Sequence, residues 1–321
     1  MIPVAIIGGA GYTGGELIRL LINHPFAELT SVVSESQEGK PVSSVHRDLI
    51  GDIDLTFNAK LEGQPELIFL CTGHGKARDF MAKAKLDKKT RIIDLSMDFR
   101  LADNSHDFVY GLPELNRDKI KASRHIANCG CFATAIQHAL LPLAKNHLLT
   151  TEIHVYAITG STGAGQALSD TLHYSWRTNN ISVYKPFNHQ HVPEILQSIV
   201  QLYPEFIAPL HFIPVRGNFT RGIFATVYTS FEGTLEEAMR IYSSYYKDEI
   251  FVKIVDQNPD LKQVVNTNKS VLYLEKHGDK LLIISMLDNL LKGASGQAVQ
   301  NMNIMYGWPE DSGLKLKAVV Y

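Results

Sequence analysis

Cysteine is scarce: three residues in 321 cannot build a disulfide framework, and no C-x-x-C or similar Cys/His spacing suggests a metal site. An excess of either charge is also missing. Lys and Arg number 31 against 33 Asp and Glu, a formal net charge of −2. That balance gives no basic footprint for nucleic acid and no acidic tail. Apolar runs never approach the length of about 18 residues that a membrane-crossing helix needs. The run near the N-terminus is too short for a secretory segment and lacks a basic flank, so a reducing, cytoplasmic setting is expected. Repeats and low-complexity linkers are absent as well. What remains is 45% hydrophobic and 20% charged, ordinary for a soluble globular chain, and the length suggests two domains.

Two of the three cysteines stand one residue apart, in "IANCGCFAT", Ile126 to Thr134. From Phe132 the apolar residues Ala135, Ile136, Ala139, Leu140 and Leu143 follow the spacing of a buried helix face. "HIAN" before them reads as the end of a strand. Cys131 therefore falls where a strand turns, through Gly130, into the first turn of a helix. Helix-start N–H groups lack partners and carry partial positive charge, which favours the nucleophilic thiolate. Free cysteine is also a common buried residue. Of the two, Cys131 is the better nucleophile candidate and Cys129 the better structural residue.

The chain opens with "VAIIGGAGYTGGELIRLL", a β-branched run, a glycine loop and a helix pattern. Gly9, Gly11 and Gly14 match G-x-G-x-x-G; Gly8, Gly11 and Gly14 match a looser form. Glycines there let backbone N–H groups approach a pyrophosphate at a helix N-terminus. "LIFLC", ending in the loop "TGHG", and "RIIDLS" continue a strand–helix alternation. The pattern predicts a doubly wound parallel sheet that binds a dinucleotide. Glu35 lies 21 residues past Gly14. An acid there favours NAD, whereas Ser34, Ser36 and Lys40 nearby favour a phosphate; NADP and NAD both stay open on these residues.

The second half reads as α+β. "EIHVYAITGSTGAG" runs from an alternating strand into a turn, Gly160 to Gly165, able to offer N–H and hydroxyl donors to an anion. In "NHQHVPEILQSIV", Pro193 suits the first turn of a helix, with His189 and His191 just before it. An H-x-H pair could ligate a metal, but no third ligand stands near in sequence. The sharper reading is a histidine base brought to Cys131 by the fold. "LHFIPVR", "RGIFATVYTSF", "FVKIV", "SVLYLEK" and "KLLIISML" are strand-like and suggest a mostly antiparallel sheet. "DNLLKGASGQAVQNMNIMYGW" reads as a helix returning to the nucleotide domain.

Eight collinear motifs, "GGAGYTGGEL", "DLSMDFRL", "VYGLPELNR", "NCGCFATA", "ITGSTGAG", "NHQHVPEI", "RGIFATVY" and "DNLLKGASGQAVQNMNIM", carry a resemblance that spans nearly the whole chain. The chain resembles the N-acetyl-gamma-glutamyl-phosphate reductases, relatives of aspartate-semialdehyde dehydrogenase. The resemblance implies NADPH-dependent reduction of an acyl phosphate to an aldehyde, in arginine biosynthesis. It implies a Rossmann domain over residues 1–127 completed by the C-terminal segment 293–321, and a catalytic and dimerisation domain over 128–292. Cys131 falls on the family's nucleophile, His189 on its catalytic histidine and His191 on the second one. Gly8, Gly11, Tyr12, Thr13 and Gly14 fall on the cofactor loop, and Ser34 and Ser36 near the adenosine phosphate. Arg100, Ser161 in the glycine turn, and Arg221 are the candidates for the substrate's phosphate. No metal, nucleic acid or membrane is implied, and the expected assembly is a homodimer or homotetramer.

The implied mechanism is attack by the Cys131 thiolate on the acyl carbon, loss of phosphate, hydride transfer to the thioester and collapse to the aldehyde. His189 would hold and return the proton. The sequence departs from the family at Cys129, where proline is usual, at Gln166, where a basic residue is common, and at Glu35, where many members carry arginine. The alternatives left open are a reductase of the homologous aminoadipate phosphate in lysine synthesis, a dinucleotide-binding redox sensor, and an interaction protein on an inactive scaffold.

Overall fold

The computed structural model describes residues 1–73 and 75–319; His74 of the "TGHG" loop, and Val320 and Tyr321 of the tail, lie outside them. The described residues divide into two compact units. One joins Met1–Cys129 to Ala294–Lys315; the other holds Gly130–Gly293 and the chain from Leu316 on.

The first unit is built on strands β1 (Ile2–Ile7), β2 (Ala27–Val33), β3 (Phe57–Asn58), β4 (Leu67–Leu70), β5 (Arg91–Asp94), β6 (Val109–Gly111) and β7 (His125–Asn128). They form one sheet in the order β3-β2-β1-β4-β5-β7-β6, and every pair is parallel. Near-continuous apolar runs such as Leu67–Leu70, buried throughout, are what a parallel sheet covered on both faces requires. The strand order reverses between β1 and β4, the place where such sheets bind ligands. The helix Tyr12–Leu21 covers β1 with Leu17, Ile18, Leu20 and Leu21; each such side chain contributes roughly 1.5–3 kcal/mol by burial. The helix Gly296–Tyr306 returns to this unit. Its Asn301 amide donates to Gly111 O at 2.9 Å and to Asn128 Oδ1 at 3.0 Å, and Tyr306 stacks under the Arg91 guanidinium at 4.1 Å.

The second unit carries β8 (Ile153–Thr159), β9 (Ser182–Val183), β10 (Leu210–Arg216), β11 (Ile223–Ser230), β12 (Val252–Val255), β13 (Ser270–His277) and β14 (Lys280–Leu287). The order is β12-β13-β14-β11-β8-β10-β9. Four pairs are antiparallel, while β8 with β10 and β12 with β13 run parallel. A parallel pair needs a crossover. The one from β8 to β10 contains the glycine turn, both candidate histidines and the helix Val192–Leu202. Residues 153, 155, 157 and 159 of β8 face the core with the helix Cys131–Lys145. Tyr156 and Tyr228 point to the other face, 42% and 40% exposed.

Candidate active site

In the first unit, Gly8 has φ +83°, and a Cβ there would lie 2.5 Å from Cys71 O. A Cβ on Gly14 would meet Gly9 O at 2.6 Å. Both positions need glycine, one for its conformation and one for the close approach of helix to loop. Gly11 is the N-cap of the helix Tyr12–Leu21, and no side chain caps that end. His46 Nε2 bonds Gly9 O at 2.7 Å, and Ser295 Oγ donates to Thr13 O at 2.9 Å, so both limbs of the loop are held. Ser34 follows β2, with its Oγ 3.4 Å from Ser36 Oγ. Glu35 between them is exposed, in a short 3-10 turn, Glu35–Gln37. The loop thus offers bare helix N–H groups, a cradle only glycine fits, and hydroxyls at the end of β2. These features fit a dinucleotide.

In the second unit, Cys131 is the first residue of the helix Cys131–Lys145, with Gly130 as N-cap and no side-chain cap. All three cysteines are reduced. Burial pushes the Cys71 thiol up to about 12, and Cys129 is 1% exposed. Cys131 alone is both partly exposed and at a helix start. Gly293 packs against it: a Cβ on Gly293 would lie 2.8 Å from Cys131 Cβ.

The crossover lays its histidines beside this helix start. Phe132 meets the His189 ring edge-on at 5.5 Å and the His191 ring at 6.3 Å. The two imidazoles are 4.6 Å apart. Burial, with His191 and Lys185 adding to it, pushes His189 down to about 3, so its resting form is neutral. The backbone N–H of His191 donates to His189 Nδ1 at 3.2 Å. Nδ1 is then the acceptor, and the proton sits on Nε2. In this tautomer His189 can donate from Nε2. His191 Nε2 lies 3.7 Å from Glu194 Oε1, at ion-pair distance. Glu194, 2% exposed, also accepts the Gly130 N–H on Oε2 at 3.2 Å. Lys185 and Phe187, just before the pair, have φ of +47° and +61°. Such left-handed residues concentrate where a loop is held for function.

The three candidates for the phosphate are placed as follows. Arg100, in the first unit, donates from Nε to Asn128 O at 2.9 Å and from Nη2 to Leu95 O at 3.1 Å. Arg221 forms a two-point pair with the buried Asp288, at 3.0 and 3.2 Å. Each of these arginines is oriented through Nε and Nη2 by these acceptors, and a guanidinium has five N–H donors in all. Ser161 opens the 3-10 turn Ser161–Ala164. The N–H groups of Gly160, Ser161 and Thr162 go to Gly222, Phe219 and Thr220 carbonyls, so the turn does not offer them to an anion as its sequence suggested. Glu194, Tyr184, Arg216 and Gly293 are site neighbours that sequence reasoning missed. Only Glu194 had a signal, as the acid three residues after His191.

Two family models match: "Semialdehyde dehydrogenase, NAD binding domain" over residues 3–123 and "Semialdehyde dehydrogenase, dimerisation domain" over 131–289. The N-acetyl-gamma-glutamyl-phosphate reductase of Christiangramia forsetii is 57% identical over 318 residues, and that of Parabacteroides distasonis 58%. Each alignment covers 99% of both chains. Among solved structures, aspartate semialdehyde dehydrogenase II of Vibrio cholerae complexed with ASA superposes with TM-score 0.73 at 16% identity, over 96% of this chain and 98% of its own. The Candida albicans aspartate semialdehyde dehydrogenase with NADP gives TM-score 0.71 at 13% identity, over 95% and 99%. At such identities the two structures speak for the fold.

Proposed function

Because the chain belongs to the N-acetyl-gamma-glutamyl-phosphate reductase family, we propose that it reduces N-acetyl-gamma-glutamyl phosphate to N-acetylglutamate 5-semialdehyde and phosphate, with NADPH, in arginine biosynthesis. One observation carries this reading: a partly exposed thiol opens a helix whose preceding N–H is pinned by a buried carboxylate, with two histidines packed alongside. A redox sensor or an inactive scaffold has no need of that arrangement.

Cys131 Sγ attacks the acyl carbon; the S–C bond forms as the C–O bond to phosphate breaks. The helix start favours the thiolate and offers N–H groups to the oxyanion, a contribution of about 3 kcal/mol per donor. His191, oriented by Glu194, takes the thiol proton. His189, with its proton on Nε2, donates to the developing oxyanion and has the same part when the thiohemiacetal collapses and the thiolate leaves. NADPH, when bound, supplies the hydride that reduces the thioester. Gly8, Gly11, Tyr12, Thr13 and Gly14 would hold its pyrophosphate, and Ser34 and Ser36 its adenosine phosphate. The exposed Glu35 between those serines keeps NAD as a second cofactor.

The open face of the second sheet, with Tyr156 and Tyr228 on it, supports assembly as a homodimer or homotetramer. A cytoplasmic location is in keeping with three reduced cysteines. Among the described residues no helix is long and apolar enough to cross a membrane. The test is the reverse reaction: N-acetylglutamate semialdehyde, phosphate and NADP should give reduced cofactor, with absorbance rising only when all three are present. Turnover of the aminoadipate analogue alone would overturn the substrate.

A further inference from the structure

Arg216 closes β10, opposite Thr159 of β8 and Ser182 of β9. Its guanidinium carbon lies 4.7 Å from the centre of the Tyr184 ring. Tyr184 in turn meets the His189 ring edge-on at 5.7 Å. Cys131 is close enough to act on the Tyr184 phenol; burial first, then that sulfur, push its pKa upward, and Arg216 opposes them. Arg216 therefore stands one ring away from the catalytic groups.

The neutral Tyr184 phenol is a side-chain partner of Arg216, and among the described residues no carboxylate balances its charge. Arg216 Nε is buried and has no hydrogen-bond partner among the described residues. The neighbouring charge is a second cation. Arg177, 7% exposed, donates to Arg216 O at 2.9 Å and spends its other bonds on Thr171 O, Asn180 O and Ser182 Oγ. Those acceptors are neutral. Two adjacent guanidiniums partly removed from water are unfavourable unless an anion joins them. The side of Arg216 that remains exposed is where an anion from outside can arrive.

The substrate of the reaction proposed above brings two oxyanions, the acyl phosphate and the α-carboxylate. The phosphate departs from the carbon that Cys131 attacks, where helix N–H groups suit it. A guanidinium placed over an aromatic ring keeps N–H donors for a planar carboxylate, which a guanidinium edge matches through two parallel hydrogen bonds. We infer that Arg216, stacked on Tyr184, binds the α-carboxylate of the substrate and so sets which acyl phosphates are accepted. This rests on the proposed function and names a residue for its specificity.

In the reverse direction the two oxyanions arrive on separate molecules, which makes the assignment testable. Arg216→Gln should raise the KM for N-acetylglutamate semialdehyde on the order of 10–100-fold, the loss typical of a hydrogen bond to a charged group. The KM for phosphate should not move, and Arg216→Lys should recover part of the loss. The α-methyl ester of the aldehyde is the control: wild type should lose a similar factor on it, and Arg216→Gln should lose nothing more. A raised KM for phosphate with the aldehyde's unmoved overturns the inference, and so does an equal further loss on the ester by both proteins. If Arg216→Gln does not fold, the comparison of acid and ester on wild type and Arg216→Lys decides in the same way. A wild-type protein inactive on the aldehyde would instead refute the parent reaction, a separate and recognisable result.

Discussion

Glu194 Oε2 accepts the Gly130 N–H at 3.2 Å, so a buried carboxylate on the helix Val192–Leu202 fixes the residue just before Cys131. Its other oxygen faces His191. One side chain thus sets the backbone of the turn before Cys131 and the orientation of the adjacent imidazole. Glu194→Ala leaves a buried N–H unpaired, at a cost of about 1–3 kcal/mol. The expected outcome is a lower Tm and a large fall in kcat. Glu194→Gln keeps an acceptor for Gly130 and should recover most of the Tm but less of the kcat. A Glu194→Gln variant with the kcat of wild type would show that the charge facing His191 does nothing.

Cys131→Ala should abolish turnover and leave cofactor binding and Tm near those of wild type. Cys129→Ala removes a packed sulfur, 1% exposed, and should lower Tm while most activity survives. An active Cys131→Ala with a dead Cys129→Ala would reverse the assignment of the two thiols.

The depressed pKa of His189 makes stability depend on pH. The folded group titrates at about 3 and the ordinary imidazole at 6.5. Between these values the unfolded chain binds a proton that the folded chain does not, so stability falls as pH drops from about 6.5 towards 3. It is fully present above 6.5. Tm followed from pH 7.5 to 4.5 should fall less steeply for His189→Asn than for wild type; parallel curves would show that His189 is not held neutral. Across the same range, iodoacetamide should label Cys131 with a pH profile that His191→Asn shifts more than His189→Asn does.

Glu35 sits exposed between Ser34 and Ser36. Facing a 2′-phosphate of about −1.5 to −2 charge, it would be repelled. Glu35→Arg should raise the ratio of NADPH to NADH efficiency roughly 3–10-fold, the scale of one screened charge reversal near a surface. An unchanged ratio would mean that Glu35 points away from the adenosine ribose.

Much of this was legible in the sequence where the signal is local. The glycine spacing after β1, the apolar period after Cys131 and the strand–helix alternation each lie within one stretch of chain, and each physical cause acts there. The parallel sheet and the helix start of Cys131 follow from them. The parallel pairing of β8 with β10 was not legible, because a crossover of some fifty residues hides which strands become neighbours. For the same reason the Glu194 bond to Gly130, 64 residues apart, escaped notice. So did Arg216 over Tyr184, where register brings together two residues with no common motif. The tautomer of His189 depends on one backbone N–H that only the folded loop supplies.

In the proposed reaction Cys131 carries the acyl group. The most direct test omits the reductant: the acyl phosphate, generated in situ, is mixed with enzyme without NADPH, and the protein is analysed by intact mass and peptide mapping. One equivalent of phosphate should be released per active site, with an N-acetylglutamyl adduct on the peptide containing Cys131 that is discharged as aldehyde when NADPH is added. An adduct on any other residue, or reduction on NADPH addition with no prior phosphate release, would contradict this role of Cys131.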